Sequence, residues 1–499
     1  MKIKLTAIGR DVSRFLLIPI GMLLLSLPVC LIAREWFAVL PFLYSLAIAS
    51  LLALLLYILG KKNDEVSTKQ TLLSVAISWG LIAIIGGLPL WFTALALGDA
   101  ATPTVGYFGD PLNSMFEGFS GFTSAGLTMT IRESELPASL QWWRSFIEWT
   151  GGLGLIVFAV ALLEPFQDQY ALYQAEGRQT RIRLTATRTV RRICIIYGLY
   201  TAASVVLLRV TGMNWWAALN HSMTAIATGG FSVTDSSMAA YSAPIKLAVV
   251  LVMIMGAIAF ERHDRFLSGK LSALWQDRQH RLLLILIASG CIFTAVEQFS
   301  DSGQFGWVDN IFQWTSALTT CGFSAQSVQF MSTNNKLLLS LAMVIGGAVG
   351  STAGGIKLAR VLALAEGILW HFRKPGLTQH QTYVRRINDK VLDPDQASRQ
   401  VESAAVLLAL WLLCLIVCVL VLVKIVPNEY TLSDVIFEST SALGAAGLSS
   451  GITGPSLHWL GKCALMLMMW MGRLEIIPVV MLLTVPFSYV QSLFDSRHS

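Results

Sequence analysis

The chain alternates long apolar runs with short polar segments, and the runs are long enough to cross a membrane as helices. The first two runs form a pair by themselves, and the other eight form four pairs. Each of these four pairs encloses a short stretch rich in Gly, Ser, Thr and Ala. The predicted spans lie near residues 13–33, 38–60, 70–98, 142–166, 189–210, 245–262, 282–299, 337–370, 401–426 and 459–487.

The four enclosed stretches align on one glycine each: Gly126, Gly230, Gly322 and Gly447. A hydroxyl residue stands six positions before every one of these glycines. A large apolar residue follows each glycine, and a second hydroxyl residue comes directly after it. From position −7 to +2 the aligned stretches read FSGFTSAGLT, MTAIATGGFS, TSALTTCGFS and TSALGAAGLS. Such in-phase copies indicate an internal fourfold repeat.

The repeat predicts an all-α polytopic membrane protein in which four pseudo-symmetric units surround a central pore. Each unit runs from a span through a short pore helix and a filter stretch to a second span. Position −13 holds Asn113, Asp309 and Asp434 in three units, and we predict that these residues are helix N-caps. The predicted boundaries are 1–65 for an extra N-terminal helix pair and 66–185, 186–280, 281–395 and 396–499 for the pore repeats.

Composition supports a membrane protein, because 55% of the residues are hydrophobic and only 13% are charged, about half the charged share of a soluble protein. If the N-terminus is cytoplasmic, most of the 36 Lys and Arg residues fall on the inner side, which predicts that both termini are cytoplasmic. No cleavable signal is evident. The seven cysteines lack metal-ligand spacing and are expected to be small buried residues. The loops near 167–188, 263–281 and 371–400 are too short for a folded domain.

Each glycine stretch would end a helix of about 12 residues, too short to span a bilayer alone. The negative end of such a helix dipole would face the membrane centre and favour a cation there. Glycine permits a backbone whose carbonyls face a common axis, where four stretches could replace the water shell of a cation. Close helix packing by small residues is the alternative, and four in-phase copies make it the weaker one. The candidate K⁺-binding residues are Ser124, Ala125, Gly126, Thr228, Gly229, Gly230, Thr320, Cys321, Gly322, Ala445, Ala446 and Gly447.

Position −9 carries polar side chains in all four stretches: Glu117, His221, Gln313 and Glu438. As a ring they could concentrate cations at the mouth of a pore. They could instead brace the pore helices internally, which we favour because two of the four are uncharged.

A glycine-rich stretch interrupts the eighth span, and so many glycines cannot make a stable helix interior. It lacks the Gly-Lys-Ser/Thr ending of a phosphate-binding loop, so we predict a flexible constriction below the filter, with a kinked helix as the alternative. The predicted gate residues are Gly346, Gly347, Gly350, Ser351, Thr352, Gly354, Gly355 and Lys357.

Arg473 lies inside the last apolar run, where a charge costs about 2.5–3.5 kcal/mol on insertion scales. Such a side chain is expected to face the bundle interior. We predict that it lies in or beside the conduction path as a barrier to cations. The alternative is a structural ion pair, for which Glu438 is one candidate partner.

These residues resemble the TrkH/KtrB/HKT superfamily of cation transporters, and the TrkH branch most closely. The resemblance rests on the four filter glycines, the stretch Gly346–Gly355 and the segment Gly472–Glu475. It implies a potassium uptake protein of a prokaryotic cytoplasmic membrane that works as a homodimer under a cytosolic TrkA-like nucleotide-binding ring. It also implies that the third-repeat loop is the gate, that Arg473 projects into the pore, and that Gly126 favours potassium. The charged end of the sixth span, Ala259–Asp264, departs from the expected pattern.

Three classes of function compete. The first is a potassium pathway with no bound cofactor, which would also pass rubidium; a less selective K⁺/Na⁺ pathway is its variant. The second is a symporter driven by H⁺ or Na⁺, for which Glu148 and Glu475 are the main intramembrane acids. The third is a membrane enzyme, which fails because no nucleophile elbow, zinc motif or His/Asp cluster is present.

Overall fold

A computed structural model of the chain describes residues 5–60, 68–154, 186–270, 272, 275–302, 306–373, 386–387 and 390–484. Helices dominate these residues, and a short antiparallel pair of strands, Arg386–Ile387 (β1) and Lys390–Val391 (β2), joins two of them. The predicted all-α membrane class is confirmed. Most of the loop near 167–188, part of the loop near 371–400, and both chain ends lie outside the described residues.

Three apolar helices open the chain: Leu5–Phe15 (α1), Leu17–Ile32 (α2) and Trp36–Leu59 (α3). The first two continue one another as one span, Ile8–Ile32, whose most apolar 18 residues have a mean hydropathy of 2.6, and the corresponding value for α3 is 2.4. Exposed side chains such as Ile58 and Leu59 show that α3 turns an apolar face outward, as expected for contact with lipid. This pair corresponds to the extra N-terminal helices of the sequence prediction.

Four similar groups of helices follow, each with one long helix, one buried helix of 12 or 13 residues and a third helix of 13 to 16 residues. The first group is Thr68–Leu97 (α4), Pro103–Gly106 (α5), Pro111–Phe122 (α6) and Ala138–Leu153 (α7). The second is Ala186–Val210 (α8), Trp215–Ile226 (α9), Ala243–Ala257 (α10) and Phe260–Leu267 (α11). The third is Arg278–Ser302 (α12), Trp307–Leu318 (α13), Thr333–Ile345 (α14) and Leu358–Arg373 (α15). The fourth is Pro394–Ile425 (α16), Leu432–Gly444 (α17) and Trp459–Arg473 (α18).

The last span is broken in the second, third and fourth groups, and only the interruption in the third was predicted. In the first group α7 ends before Gly154, and residues 155–185 lie outside the described residues. The breaks fall at residues 258–259, at 346–357 and at 474–476. Helices α10 and α11 bend by 104° across the second break. Among the described residues, six helices are long and apolar enough to cross a membrane, or seven if that bent pair is one span. Broken helices at membrane depth are tolerated where they line a cavity or are buried in protein.

The four short helices α6, α9, α13 and α17 form the centre of the molecule. Nearly every side chain of α17 is buried, and the same holds for α6. A helix that is buried all round needs an apolar or internally bonded surface on every face. The long helices surround this centre, and their apolar outer side chains, such as Leu420 on α16, remain exposed.

Candidate ion filter and gate

The four short helices begin at the same distance from their aligned glycines. Their N-caps lie at position −16 and are Asp110, Asn214, Gly306 and Thr431. The Asp110 carboxylate accepts the Leu112 N–H at 2.9 Å, and the hydroxyl of Thr431 forms a capping box with Asp434. The prediction of N-caps at position −13 is therefore wrong, because those residues lie one turn inside the helices.

The side chains at −13 bind lysines from the neighbouring group instead. Each lysine is the fourth residue of the helix that follows the filter stretch of the preceding group, namely α10, α14 or α18. Each is 4–7% exposed. The three contacts are Lys246 Nζ to Asp309 Oδ1 at 2.7 Å, Lys336 Nζ to Asp434 Oδ1 at 2.7 Å, and Lys462 Nζ to Asn113 Oδ1 at 2.6 Å. These contacts tie the second group to the third, the third to the fourth, and the fourth to the first.

The remaining interface, between the first and second groups, is built differently. Its equivalent residues are Gln141 and Ala217, which cannot form an ion pair. The Gln141 Oε1 atom accepts the Trp216 indole N–H at 2.7 Å instead. Three lysine contacts, called clamps below, and one neutral contact therefore link the four groups in a closed cycle.

Replacing Lys336 by Met should destabilise the protein by about 3–5 kcal/mol, since it leaves Asp434 buried without its cation. The double variant Lys336→Met/Asp434→Asn should recover part of that loss. The measurement is the thermal unfolding midpoint of the protein in detergent. Lys424→Met, at an exposed lysine near the end of α16, is the control and should leave the midpoint unchanged. A Lys336→Met midpoint equal to that of the control would rule out a stabilising clamp.

All four short helices end in the same way. The N–H at position −1 donates to the carbonyl at −6 over 2.8–3.0 Å, and the N–H at −2 donates to the carbonyl at −5 over 2.9–3.2 Å. This pattern is a Schellman motif, and it places the residue at −2 in the left-handed region. The four residues there are Ser124, Thr228, Thr320 and Ala445, with φ between 50° and 53°. Non-glycine residues in this conformation are strained, so a fourfold occurrence marks a designed feature of the backbone.

The four aligned glycines meet in a ring. All have positive φ, between 78° and 95°. A Cβ added to Gly322 would lie 2.5 Å from the Ala446 carbonyl oxygen, and one added to Gly447 would lie 2.9 Å from Gly126 Cα. In each group the nearest atom to such a Cβ is the carbonyl oxygen at position −1 of the next group, in the cyclic order first, second, third, fourth, first. All twelve predicted filter residues therefore lie together at this ring.

The side chains at −9 brace the ring from behind. Glu117 accepts the Thr128 hydroxyl at 2.7 Å and the Met129 N–H at 2.8 Å, and it pairs with Arg144 at 2.7 Å. Glu438 accepts the equivalent Ser449 hydroxyl and Ser450 N–H, both at 2.8 Å. Gln313 and His221 make the corresponding contacts to Ser324 and Ser232. All four side chains are at most 2% exposed, so the structure favours the brace over a charged ring at the mouth.

The glycine-rich stretch 346–357 is a loop between α14 and α15 that lies directly against the ends of the short helices. The Gly354 N–H donates to the Thr320 hydroxyl at 2.6 Å, and the Gly355 N–H donates to the Gly444 carbonyl at 3.1 Å. The Thr352 hydroxyl lies 3.0 Å from the Ile226 carbonyl and 2.9 Å from the Gly256 carbonyl. The predicted gate residues thus bind the second, third and fourth groups at the inner side of the ring.

Other contacts fix the loop backbone. Gly346, Gly350, Gly355 and Lys357 have φ between 71° and 81°, which explains the glycines at three of these positions. The Ser351 hydroxyl donates to the Ala348 carbonyl at 2.6 Å, and the Gly347 carbonyl accepts the Leu358 N–H at 2.9 Å. The loop is therefore a folded segment with its own hydrogen bonds.

Arg473 bridges the two sides of the molecule beneath the ring. Its guanidinium donates to the Gly152 carbonyl at 3.0 Å, to the Gly151 carbonyl, and to the Thr352 carbonyl at 3.3 Å. Gly151 and Gly152 lie in the last turn of α7, and Thr352 lies in the glycine-rich loop. The alternative ion pair with Glu438 is wrong, because the Glu438 carboxylate is bound to Ser449, Ser450 and Thr453. Glu475 pairs with Arg360.

The charged end of the sixth span forms helix α11 at the inner side of the same loop. The Phe260 N–H donates to the Gly350 carbonyl at 3.0 Å, Asp264 pairs with Arg192 at 2.5 Å, and Arg262 pairs with Asp277 at 2.7 Å. Burial raises the pKa of Asp277, but its interactions with His280 and Arg262 outweigh that effect and lower the pKa to about 2. These charges therefore anchor the elements that hold the loop.

Sequence reasoning missed the lysine clamps and Arg144. The lysines stand 14 to 16 residues after their aligned glycines, so extending the repeat alignment into the last spans would have found them. Arg144 has no counterpart in the other groups, and its contact with Glu117 carried no signal in the sequence. Among the described residues no group of three or more His, Cys, Asp or Glu side chains could hold a metal ion.

Residues 41–488 match the family model TrkH, described as a cation transport protein. An uncharacterized cation transporter of Methanocaldococcus jannaschii is 31% identical over 84% of this chain and 83% of its own length. The Trk system potassium uptake protein TrkH of Halomonas elongata is 31% identical over 85% and 87%. The crystal structure of the potassium transporter TrkH from Vibrio parahaemolyticus has a TM-score of 0.81 and 25% identity, covering 97% of this chain and 99% of the other. The chain belongs to the TrkH family of cation transport proteins.

Proposed function

We propose that this protein carries potassium across the cytoplasmic membrane of a prokaryotic cell through the ring of backbone carbonyls around Gly126, Gly230, Gly322 and Gly447. The observation that carries this proposal is the cyclic contact of each glycine with the −1 carbonyl of the next group. Four inward carbonyls at the negative ends of four helices favour a dehydrated cation. The relatives named as potassium uptake proteins support potassium as that cation.

In this proposal the four pore repeats are residues 66–185, 186–280, 281–395 and 396–499, with residues 1–65 outside them. The twelve residues at positions −2 to 0 are the K⁺ sites of this proposal. Rubidium, which resembles potassium in size and charge, should pass as well.

The loop 346–357 and Arg473 form the gate and the barrier of the proposed pathway. The loop binds the second, third and fourth groups. Arg473 connects the loop to the first group, at the end of α7. A positive charge at that point raises the energy of a passing cation. The resemblance to the superfamily adds a homodimer and a cytosolic TrkA-like nucleotide-binding ring that opens the loop, and the distribution of Lys and Arg residues adds cytoplasmic termini.

Thr352→Val should raise basal rubidium uptake into liposomes by about fivefold, because the valine cannot replace the hydroxyl proton that the Ile226 and Gly256 carbonyls share, a hydrogen bond worth about 1 kcal/mol. The control is Thr294→Val, whose hydroxyl bonds within its own helix α12 to Gly290 at 2.9 Å. Uptake by Thr352→Val at the control level would count against the loop as a gate.

An uptake test in cells addresses the proposed function directly. Expression should allow a bacterium without its own potassium uptake systems to grow at low external potassium. A chain that restores growth only at high potassium, or not at all with a TrkA-like protein present, would contradict the proposal.

A symporter driven by H⁺ or Na⁺ is the second candidate, favoured by one observation: the fully buried carboxyl group of Glu148 lies beside the second filter stretch. Potassium uptake into vesicles under an imposed H⁺ or Na⁺ gradient, at zero potassium gradient, distinguishes the two. Accumulation would establish coupling, and its absence would leave a passive pathway.

A further inference from the structure

Helix α7 differs from its three counterparts on the face that packs against the filter of the next group. Seven residues after the clamp position, α10, α14 and α18 carry Met253, Met343 and Met469, all fully buried. The equivalent residue of α7 is Glu148, which is also 0% exposed. A carboxyl group in such a place is costly unless it makes specific contacts.

Glu148 contacts the second filter stretch on both sides of Gly230. Its Oε2 atom accepts the Phe231 N–H at 2.9 Å. Its Oε1 atom has no hydrogen-bond partner among the described residues and lies against Gly229. The carboxyl group therefore spans the backbone from position −1 to position +1 of the ring.

Gly229 is matched to this side chain. A Cβ on Gly229 would lie 2.5 Å from Glu148 Oε1 and closer still to Cδ and Cγ. The other three groups have a side chain at position −1, namely Ala125, Cys321 and Ala446. Each of these shares a buried cluster with the methionine of the preceding group. Three interfaces thus place a methionine and a small side chain in one buried cluster, and the fourth places a glutamate against a glycine.

The glycine at −1 has a mechanical consequence. Gly229 and Gly230 are consecutive, so this stretch has more backbone freedom than the other three. Its −1 carbonyl oxygen is also the one that lies near the glycines of all three other groups. The carbonyl with the most neighbours is therefore on the least constrained backbone.

We propose that Glu148 is a positioning residue that holds the Gly229–Gly230–Phe231 backbone in place and thereby contributes to the discrimination between potassium and sodium. It does so through the hydrogen bond to Phe231 and the contact with Gly229. This inference rests on the proposed filter function.

The test uses the full-length protein in liposomes and measures the ratio of potassium to sodium flux for wild type and four variants. Glu148→Met removes the acceptor and should lower the ratio on the order of tenfold, the effect of losing one buried hydrogen bond. Gly229→Ala should lower it similarly, because its Cβ displaces the carboxyl group. Glu148→Gln keeps an oxygen for Phe231 and should retain the wild-type ratio.

The double variant Glu148→Met/Gly229→Ala rebuilds the methionine–alanine pair of two other interfaces and should recover most of the lost ratio, as a double-mutant cycle detects. A wild-type ratio in Glu148→Met, an equal loss in Glu148→Gln, or a double variant no better than the single ones would each overturn the proposal. If Glu148→Met does not fold, the comparison of Gly229→Ala with the double variant decides.

The ratio of potassium to sodium flux in the wild-type protein distinguishes a failure of this inference from a failure of the proposed filter function. A wild-type ratio near one would defeat the filter itself. A selective wild type with unaffected variants would defeat only the role of Glu148.

Discussion

Gly322→Ser should lower the ratio of potassium to sodium flux by about tenfold or more, corresponding to about 1.4 kcal/mol. The glycine has φ +85°, which costs a side-chain-bearing residue about 1–2 kcal/mol. The new Cβ would lie 2.5 Å from the Ala446 carbonyl oxygen, so that carbonyl must move away from its place in the ring. Gly126→Ser should act in the same way against the Gly229 carbonyl.

The matched control is Gly454→Ser in the outer loop after the fourth filter stretch. A Cβ there meets nothing within 4 Å, and its φ lies outside the positive range. Flux ratios should be measured in liposomes, with size-exclusion profiles to show that each variant is assembled. Unchanged selectivity in both ring variants would remove the basis for assigning the ring as a filter.

Arg473→Ala should raise the basal potassium flux by about tenfold or more. The change removes a positive charge, and a unit charge about 4 Å from a passing cation opposes it by about 4 kcal/mol at an effective dielectric constant of 20. It also removes the donors that join the Thr352 carbonyl to the end of α7. Both effects lower the barrier, and each 1.36 kcal/mol accounts for a factor of ten in rate.

Arg473→Lys separates the two effects, because it keeps the charge but cannot reach three carbonyls with a planar fork of donors. We expect an intermediate flux. Arg209→Ala, at the far end of α8, serves as the control. A basal flux in Arg473→Ala no higher than that of the control would contradict the barrier role.

The repeat was predictable because its signal is local. The aligned glycines, the residues at −6, +1 and +2, and the apolar spans on either side all recur along the chain, so the sequence located the ring residues without structural data. The glycine-rich interruption of the eighth span was equally direct, since Gly346–Gly355 cannot continue a helix.

The breaks in the other last spans were less accessible. Glu475 and Ile476 adopt positive φ within an apolar run that reads as helix, and residues 258–259 contain no glycine or proline. Tertiary contacts fix these breaks: the Arg360 pair with Glu475 at one, and the Gly350 carbonyl bond to Phe260 at the other. Helix propensity depends on neighbouring residues in the sequence and therefore does not predict such contacts.

The error at position −13 has a similar origin. Asn113, Asp309 and Asp434 are of residue types typical of N-caps. Their side chains instead bind lysines of another repeat. The caps themselves lie three residues earlier, where Asp110, Asn214 and Thr431 are equally typical N-cap residues, so residue type alone did not distinguish the two positions. Partners distant in sequence decided the use of these side chains.

The most direct test of the central claim is the flux of potassium, rubidium and sodium into liposomes that hold the purified wild-type protein, with and without a TrkA-like ring protein. A potassium-selective ring requires that potassium and rubidium flux exceed sodium flux, and that both stand well above the flux into protein-free liposomes. Equal flux of the three ions, or the absence of flux even with the ring protein present, would contradict it.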